Sequence, residues 1–348
     1  MKKAYLQETL KQLEALLQIN SPSGFTSEAA AYCMQQFESF GYQPILTQKG
    51  GVLVNLGGTE TDNGLVLGAH IDTLGAMVNE IKENGALRIS PIGGLQANNI
   101  ETETVTVHTR SGKIYDGTVQ LVDASVHVNG EYSKTARTFD SVEVVLDEKV
   151  TSADDTRARG VSVGDCVAIA PRYVLTQSGY IKSRFLDDKL SAAILLAYAK
   201  ALKEEHKAPR RATYIYFTVF EEVGHGGAAS IPAGVTEMLS VDMGCVGKGL
   251  ACTETMVSIC AMDSRGPCNQ EVVNGLVKAA QTVKVSYALD VYPHYGSDAD
   301  VALVAGYDLR HGVVGAGVYA SHGYERSHVE GLAATFDLLQ AYIKTEMR

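Results

Sequence analysis

Two stretches of this chain stay apolar for the full length of a strand and then end in charge: GLVLGAHID, residues 64–72, and ATYIYFTVFEE, residues 212–222. A strand wetted on one face alternates apolar and polar side chains, so a run that does not alternate is covered on both faces. Strands of that kind belong to sheets sandwiched between helices. EMLSVDMG (237–244) and VVGAGVYASH (313–322) read the same way, and GGVLVNLGG (50–58) adds a further strand.

Helical segments separate them. The chain opens with an amphipathic helix, followed by TSEAAAYCMQQFESFG, where Thr26 or Ser27 is the expected N-cap and Gly41 the stop. DKLSAAILLAYAKALKEE carries Leu190, Ala193, Ile194, Ala197 and Ala201 on one stripe. SDADVALVAG reads as a short helix and HVEGLAATFDLLQAYIKTEM as the closing one. The fold class is α/β.

Between about residue 75 and residue 170 the pattern changes to short alternating segments, such as ETVTVHTRSGKIYDGTVQLV, SVEVVLDE and GVSVGDCVAIAP, with no helical period. The expectation is an all-β, barrel-like domain, residues 73–170, inserted into an α/β domain made of residues 1–72 and 171–348. A length of 348 residues suits two domains.

Composition removes several classes of function. With 40 acidic against 30 basic residues and a net charge of −10, no basic stripe is available to follow a phosphate backbone, so nucleic acid is not an expected partner. No apolar run reaches a membrane span, and the first twenty residues lack the apolar core of an export signal. The six cysteines form no CxxC pair, which suits reduced thiols and a cytoplasmic protein and speaks against a cysteine zinc site.

The residues that end the apolar strands are His70 and Asp72, Glu221 and Glu222, Asp242, and His322, with Asp187 and Asp188 in SRFLDDKLSAA just ahead of a helix. In open α/β sheets the carboxyl ends of the strands share one crevice. Like charges gathered there raise one another's pKa unless something positive sits among them. Imidazoles and carboxylates without a thiolate suit zinc, cobalt or manganese. A pair of divalent ions about 3.5–4 Å apart would need a bridging carboxylate and about two further protein ligands each, which this inventory can supply.

GAHIDTLGAMV, LDDK, EEVGHGGA, SVDMG and YASHGYE, in that order, resemble the blocks of the co-catalytic metal aminopeptidases of the TET, deblocking-aminopeptidase and FrvX-like type; NSPSG and YGSDADVALVAG add to the likeness. The resemblance spans essentially the whole chain. It implies a mixed-sheet, phosphorylase/hydrolase-like catalytic domain and two divalent metal ions per subunit. Carried over residue by residue, it implies that His70 and Asp242 hold one ion, that Glu222 and His322 hold the other, and that Asp187 bridges them. Glu221 becomes the general base. Asp72, two residues after His70, is expected to accept the other imidazole N–H on its carboxylate.

This chain has HGYERSH where such relatives carry a histidine and a Ser/Thr-Pro turn, so His322, directly after the apolar strand, is preferred as the last ligand and His328 is the alternative. Asp188, His225 and Asp298 are candidates for contacts to substrate or for supporting the ligands, Asp188 also as a helix N-cap. The implied reaction is release of N-terminal residues from short peptides. An amidohydrolase acting on a small N-acylated or amidated amino acid would use the same residues. A glycosidase with paired carboxylates would not require histidines. The resemblance also implies a homo-oligomer, dimer or dodecamer, with the inserted domain serving dimerisation and substrate access.

Overall fold

The computed structural model describes residues 1–347. Two compact units emerge, one formed by residues 1–72 and 172–348 and the other by residues 73–171.

In the first unit, α1 (Lys3–Leu17) and α2 (Ser27–Ser39) precede β1 (Val52–Gly57) and β2 (Glu60–His70). After the inserted unit come α3 (Leu186–Glu204), β3 (Arg211–Thr218), β4 (Val235–Val241), β5 (Val257–Met262), α4 (Gln270–Val283), β6 (Tyr287–Val291), α5 (Asp298–Val304), β7 (Arg310–Tyr319) and α6 (Val329–Ile343). β2 lies between β3 and β4, parallel to both, and β4 runs parallel to β7. β1 is antiparallel to β3, and β5 is antiparallel to β7, so the sheet is mixed. No helix among the described residues is long and apolar enough to cross a membrane.

The apolar runs occupy the positions that their lack of alternation requires. Leu65, Val66 and Leu67 of β2 and Ile215, Tyr216 and Phe217 of β3 are fully buried. α3 buries far more than a stripe: Ala192 through Ala199 are all inaccessible, so this helix is covered on every side. Each buried Leu or Ile contributes roughly 1.5–3 kcal/mol relative to exposure.

Because β2, β3, β4 and β7 are parallel, their carboxyl ends line one edge of the sheet. β3 stops earlier than its apolar run suggests. Its last ladder residue is Thr218, paired with His70, and Phe220 takes a left-handed backbone with φ +68°, so Glu221 and Glu222 lie beyond a turn.

In the second unit six strands close a barrel in the order Gly75–Ile81, Leu87–Ile92, Val142–Leu146, Ile114–Leu121, Thr104–His108 and Cys166–Ile169. The barrel is the expected β architecture; beside it Ala153–Ala158 forms one short helix, with the Ser152 hydroxyl accepting the Asp155 N–H at 3.2 Å. Six residues are too few to leave a helical period in the sequence.

Candidate metal centre

His70 ends β2 and is almost completely buried. Its Nδ1 lies 2.9 Å from the main-chain oxygen of Asp72, while the Asp72 carboxylate is 3.7 Å away. This corrects the expectation that the carboxylate receives the imidazole N–H. The strand ends at His70 and the chain turns, so the alternation that would place both side chains on one face no longer applies. With Nδ1–H donated to a carbonyl, Nε2 is the nitrogen that faces the centre, the one through which such a histidine would bind a metal.

The freed Asp72 carboxylate has other work. It accepts the Ser23 hydroxyl at 2.5 Å and the backbone N–H groups of Glu221 and Glu222 at 3.2 and 3.4 Å. Ser21 donates to the Ile71 carbonyl at 2.8 Å. The NSPSG segment thus fastens the end of β2, and Asp72 in turn fastens the pair of glutamates.

Asp187 stands between two imidazoles. One carboxylate oxygen is 3.0 Å from His70 Nε2 and the other 3.5 Å from His322 Nε2. His322 Nε2 is also 3.5 Å from Glu222 Oε2, and Glu221 Oε2 is 3.7 Å from His70 Nε2. Asp187 and Asp188 precede the regular part of α3 with non-helical backbone angles and are joined by a cis peptide bond. Asp188 stands where a cap of that regular part would stand, but its carboxylate makes no capping hydrogen bond. Its carboxylate meets His70 and Asp242 in a group whose ligand atoms all lie within 4.8 Å of one another, and His70, Asp187 and Glu222 form a second such group.

Asp242 follows β4 directly; its Oδ1 accepts the Met243 N–H at 2.6 Å, and the Tyr295 hydroxyl donates to the Met243 carbonyl at 3.2 Å. A residue that the sequence left without a role, at the end of the block YASHGYE, completes the frame. Glu325, 2% exposed, accepts the N–H of Asp187 at 3.1 Å and that of His322 at 3.0 Å.

Three other candidates lie outside these groups. His328 is the N-cap of α6: Nδ1 accepts the Glu330 N–H at 3.1 Å, Nε2 is 2.8 Å from the Ser178 carbonyl, and the ring packs edge-on against Tyr180. Both its nitrogens are engaged away from the cluster, so it is a structural histidine. His225 is exposed and stacks on Phe220. Asp298 is buried beneath the turn that carries the glutamates, accepting from Thr218 and from the Gly227 N–H.

The electrostatics fit a cationic occupant. Burial pushes Glu222 up to about 8 and Asp242 up to about 7, with Asp187 adding to both, and burial holds Glu221 and Asp188 well above the usual carboxylate range. Asp187 moves the other way: burial would raise it, but hydrogen bonds from His322 and His70 hold it low. Burial opposes charge on His70, yet the Asp187 hydrogen bond and the surrounding carboxylates more than reverse this, and His322, bonded to Asp187, is raised to about 9. The Asp188 oxygens reach no hydrogen-bond partner, although the nearby Ser191 hydroxyl favours their charge. Unsatisfied buried carboxylate oxygens and the Nε2 atoms of two imidazoles facing Asp187 form a donor set that a divalent ion would complete by replacing the imidazole protons.

Comparison with known proteins agrees with this chemistry. A family model described as M42 glutamyl aminopeptidase matches residues 50–338. The putative aminopeptidase YhfE of Bacillus subtilis is 40% identical over 98% of this chain and 99% of its own length. Among solved structures, a TET aminopeptidase from a marine-sediment thaumarchaeon superimposes with a TM-score of 0.87 at 19% identity, covering 97% of this chain and 96% of that one. The Pyrococcus horikoshii TET1 peptidase, described as assembling into a tetrahedron or a large octahedral shell, gives 0.84 at 20% identity over 96% and 99%. The fold, the His/Asp/Glu groups at the strand ends and the match over most of the length lead to one assignment: the chain belongs to the M42 glutamyl aminopeptidase family, among the TET and FrvX-like aminopeptidases, and is a peptidase.

Proposed function

We propose that this protein is a dinuclear-metal aminopeptidase that removes N-terminal residues from short peptides. The observation that carries the reading is Asp187, whose two carboxylate oxygens face two different imidazoles, His70 and His322, as a bridging ligand requires. In this reading His70 and Asp242 hold one ion, Glu222 and His322 hold the other, and Asp187 is shared. Asp188 stands beside the first. Two imidazoles with carboxylates suit zinc, with cobalt or manganese as alternatives. When bound, such ions supply Lewis acidity and make water a usable nucleophile near neutral pH.

The chain's own contribution is to position groups and move a proton. Glu221, adjacent to a ligand yet free of that duty, takes the proton of the attacking water on its carboxylate and returns it to the leaving amine. Its raised affinity for a proton, caused first by burial, suits that exchange. Asp72 and Glu325 hold the backbone of the residues that do this work.

Kinetics on aminoacyl anilides, short unblocked peptides and N-acylated amino acids, before and after chelation, test the proposal. Turnover of free-amine substrates that is lost on chelation and restored by zinc or cobalt supports it; turnover confined to N-acylated amino acids would select an amidohydrolase instead. The shell-forming neighbour motivates a homo-oligomer, dimer or dodecamer, with residues 73–171 serving dimerisation and substrate access. Light scattering on the eluting protein counts the subunits, and a monomer at working concentration would refute that part.

A further inference from the structure

The segment that carries both glutamates is closed at its two ends by one carboxylate. Asp298, on the first turn of α5 and 3% exposed, receives the Thr218 hydroxyl on Oδ2 and the Gly227 N–H on Oδ1 at 2.5 Å. Thr218 is the last ladder residue of β3, and Gly227 lies just past the turn. Residues 219–226 therefore form a loop stapled at its base, and Glu221 and Glu222 sit inside it.

The staple stands on rigid ground. Ser297 and Asp300 cap α5 reciprocally, the Asp300 carboxylate accepting the Ser297 N–H and hydroxyl at 3.0 Å each. The Ala299 N–H donates to the Ser240 hydroxyl at 3.0 Å, fixing the helix to β4 two residues before Asp242. Lys49 grips the same loop through its carbonyls, donating to those of His225 and, at 2.8 Å, Gly226.

This arrangement explains the glycine pair in EEVGHGG. Of the three glycines there, only Gly224, at φ +85°, needs glycine's backbone freedom. Gly226 and Gly227 are needed because of how closely Asp298 approaches: a Cβ on Gly226 would stand 2.3 Å from the Asp298 carboxylate, and one on Gly227 2.1 Å from the Asp298 carbonyl oxygen. The sequence has left room for the staple.

We infer that Asp298 is a positioning residue for the peptidase reaction, setting where Glu221 and Glu222 stand through the 219–226 loop, with Lys49 as its helper. The consequence for catalysis rests on the function proposed above; the loop contact itself does not. Misplacing a reacting group by about 1 Å can cost around a hundredfold in rate.

The test compares Asp298→Ala, Asp298→Asn, Gly226→Ala and Lys49→Met, all in the full-length, metal-loaded protein. Asp298→Ala is expected to lower kcat by about 10–100-fold with KM little changed, and to raise amide hydrogen exchange across 219–228. Asp298→Asn, whose Oδ1 still accepts from Gly227 while Nδ2 donates to the Thr218 hydroxyl, should stay within a few-fold of wild type. Gly226→Ala should reproduce the Asp298→Ala pattern with the carboxylate intact, and Lys49→Met a weaker version of it. If Asp298→Ala does not fold, Gly226→Ala and Lys49→Met carry the comparison. Unchanged exchange across 219–228 in the folded variants, or Asn losing as much as Ala, would overturn the inference. Hydrogen exchange reads the staple even in a protein without aminopeptidase turnover, so the two proposals fail separately.

Discussion

The Asp72 carboxylate accepts the main-chain N–H of Glu221 at 3.2 Å, so a residue two positions after His70 fixes the backbone of Glu221, the proposed general base, 149 positions later. The same group holds Ser23 and the Glu222 N–H. In Asp72→Asn an NH₂ must face one of these donors, and a buried donor left without an acceptor costs about 1–3 kcal/mol. The expected result is a fall in kcat/KM of about 10–100-fold. Ser23→Ala removes a single donor and should cost only a few-fold. Steady-state kinetics on one aminoacyl anilide compares them, and equal effects would remove the central role given to Asp72.

Adjacent glutamates with separate duties should separate under mutation. Glu221→Gln keeps the shape and loses the proton acceptor, so metal content should stay at the wild-type ratio while kcat falls by about 10²–10⁴. Glu222→Ala should instead lower bound metal. Elemental analysis beside single-turnover rates makes the distinction, and a Glu221→Gln protein with ordinary turnover would take the base role away.

How far the sequence reveals this site depends on whether a residue's work is done by its side chain at a strand end or through a main-chain contact across the fold. His70 and Asp242 stand out because a strand covered on both faces seldom stops in a charged group unless that charge is neutralised or used, and Glu222 because the apolar run of β3 leads to it, although a turn lies between. Glu325 is legible only as the end of the block YASHGYE and not in its contacts: it receives the N–H groups of Asp187 and His322, which no spacing announces until the backbone is in place. Asp72 is legible in position but not in partner, since the alternation rule that aims its carboxylate at His70 ends with the strand. His328 misleads by nearness alone; as the α6 N-cap its nitrogens are engaged by Ser178 and Glu330. The strand periods fix the α/β layering for the same reason that they fail on Ala153–Ala158, which is too short to show a period.

Removing metal should invert the ordinary pH dependence of stability. With burial raising Glu222 to about 8 and Asp242 to about 7, the stripped folded state keeps protons that the unfolded chain, with carboxyls near their ordinary values of 4.5 and 3.8, has already released. Where the folded state binds more protons, stability falls as pH rises. The stripped protein should therefore lose melting temperature from about pH 3.8 to pH 8, and on to about pH 9 as His322 releases its proton, whereas the metal-loaded protein, its carboxylates neutralised by cations, should lack this decline. Calorimetric scans at several pH values with and without chelator check it. A stripped protein that gains stability over the same range would mean that these carboxyls are not crowded as described.

Glu325 offers the sharpest separation between holding metal and binding substrate. Its two oxygens accept the main-chain N–H groups of Asp187, the proposed shared ligand, and of His322. Burial and the neighbouring Asp187 raise its pKa well above normal, while the two N–H groups favour its charged form. Glu325→Gln preserves one acceptor and turns an NH₂ toward the other N–H, which should let one ligand shift. Metal affinity is then expected to fall by about 10–100-fold, as happens when groups supporting ligands are changed, while KM for saturating-metal turnover stays near wild type. Competition against a chelating dye measures the first and anilide kinetics in excess zinc the second. Unchanged affinity with a raised KM would place Glu325 against the substrate and remove it from the frame of the metal centre.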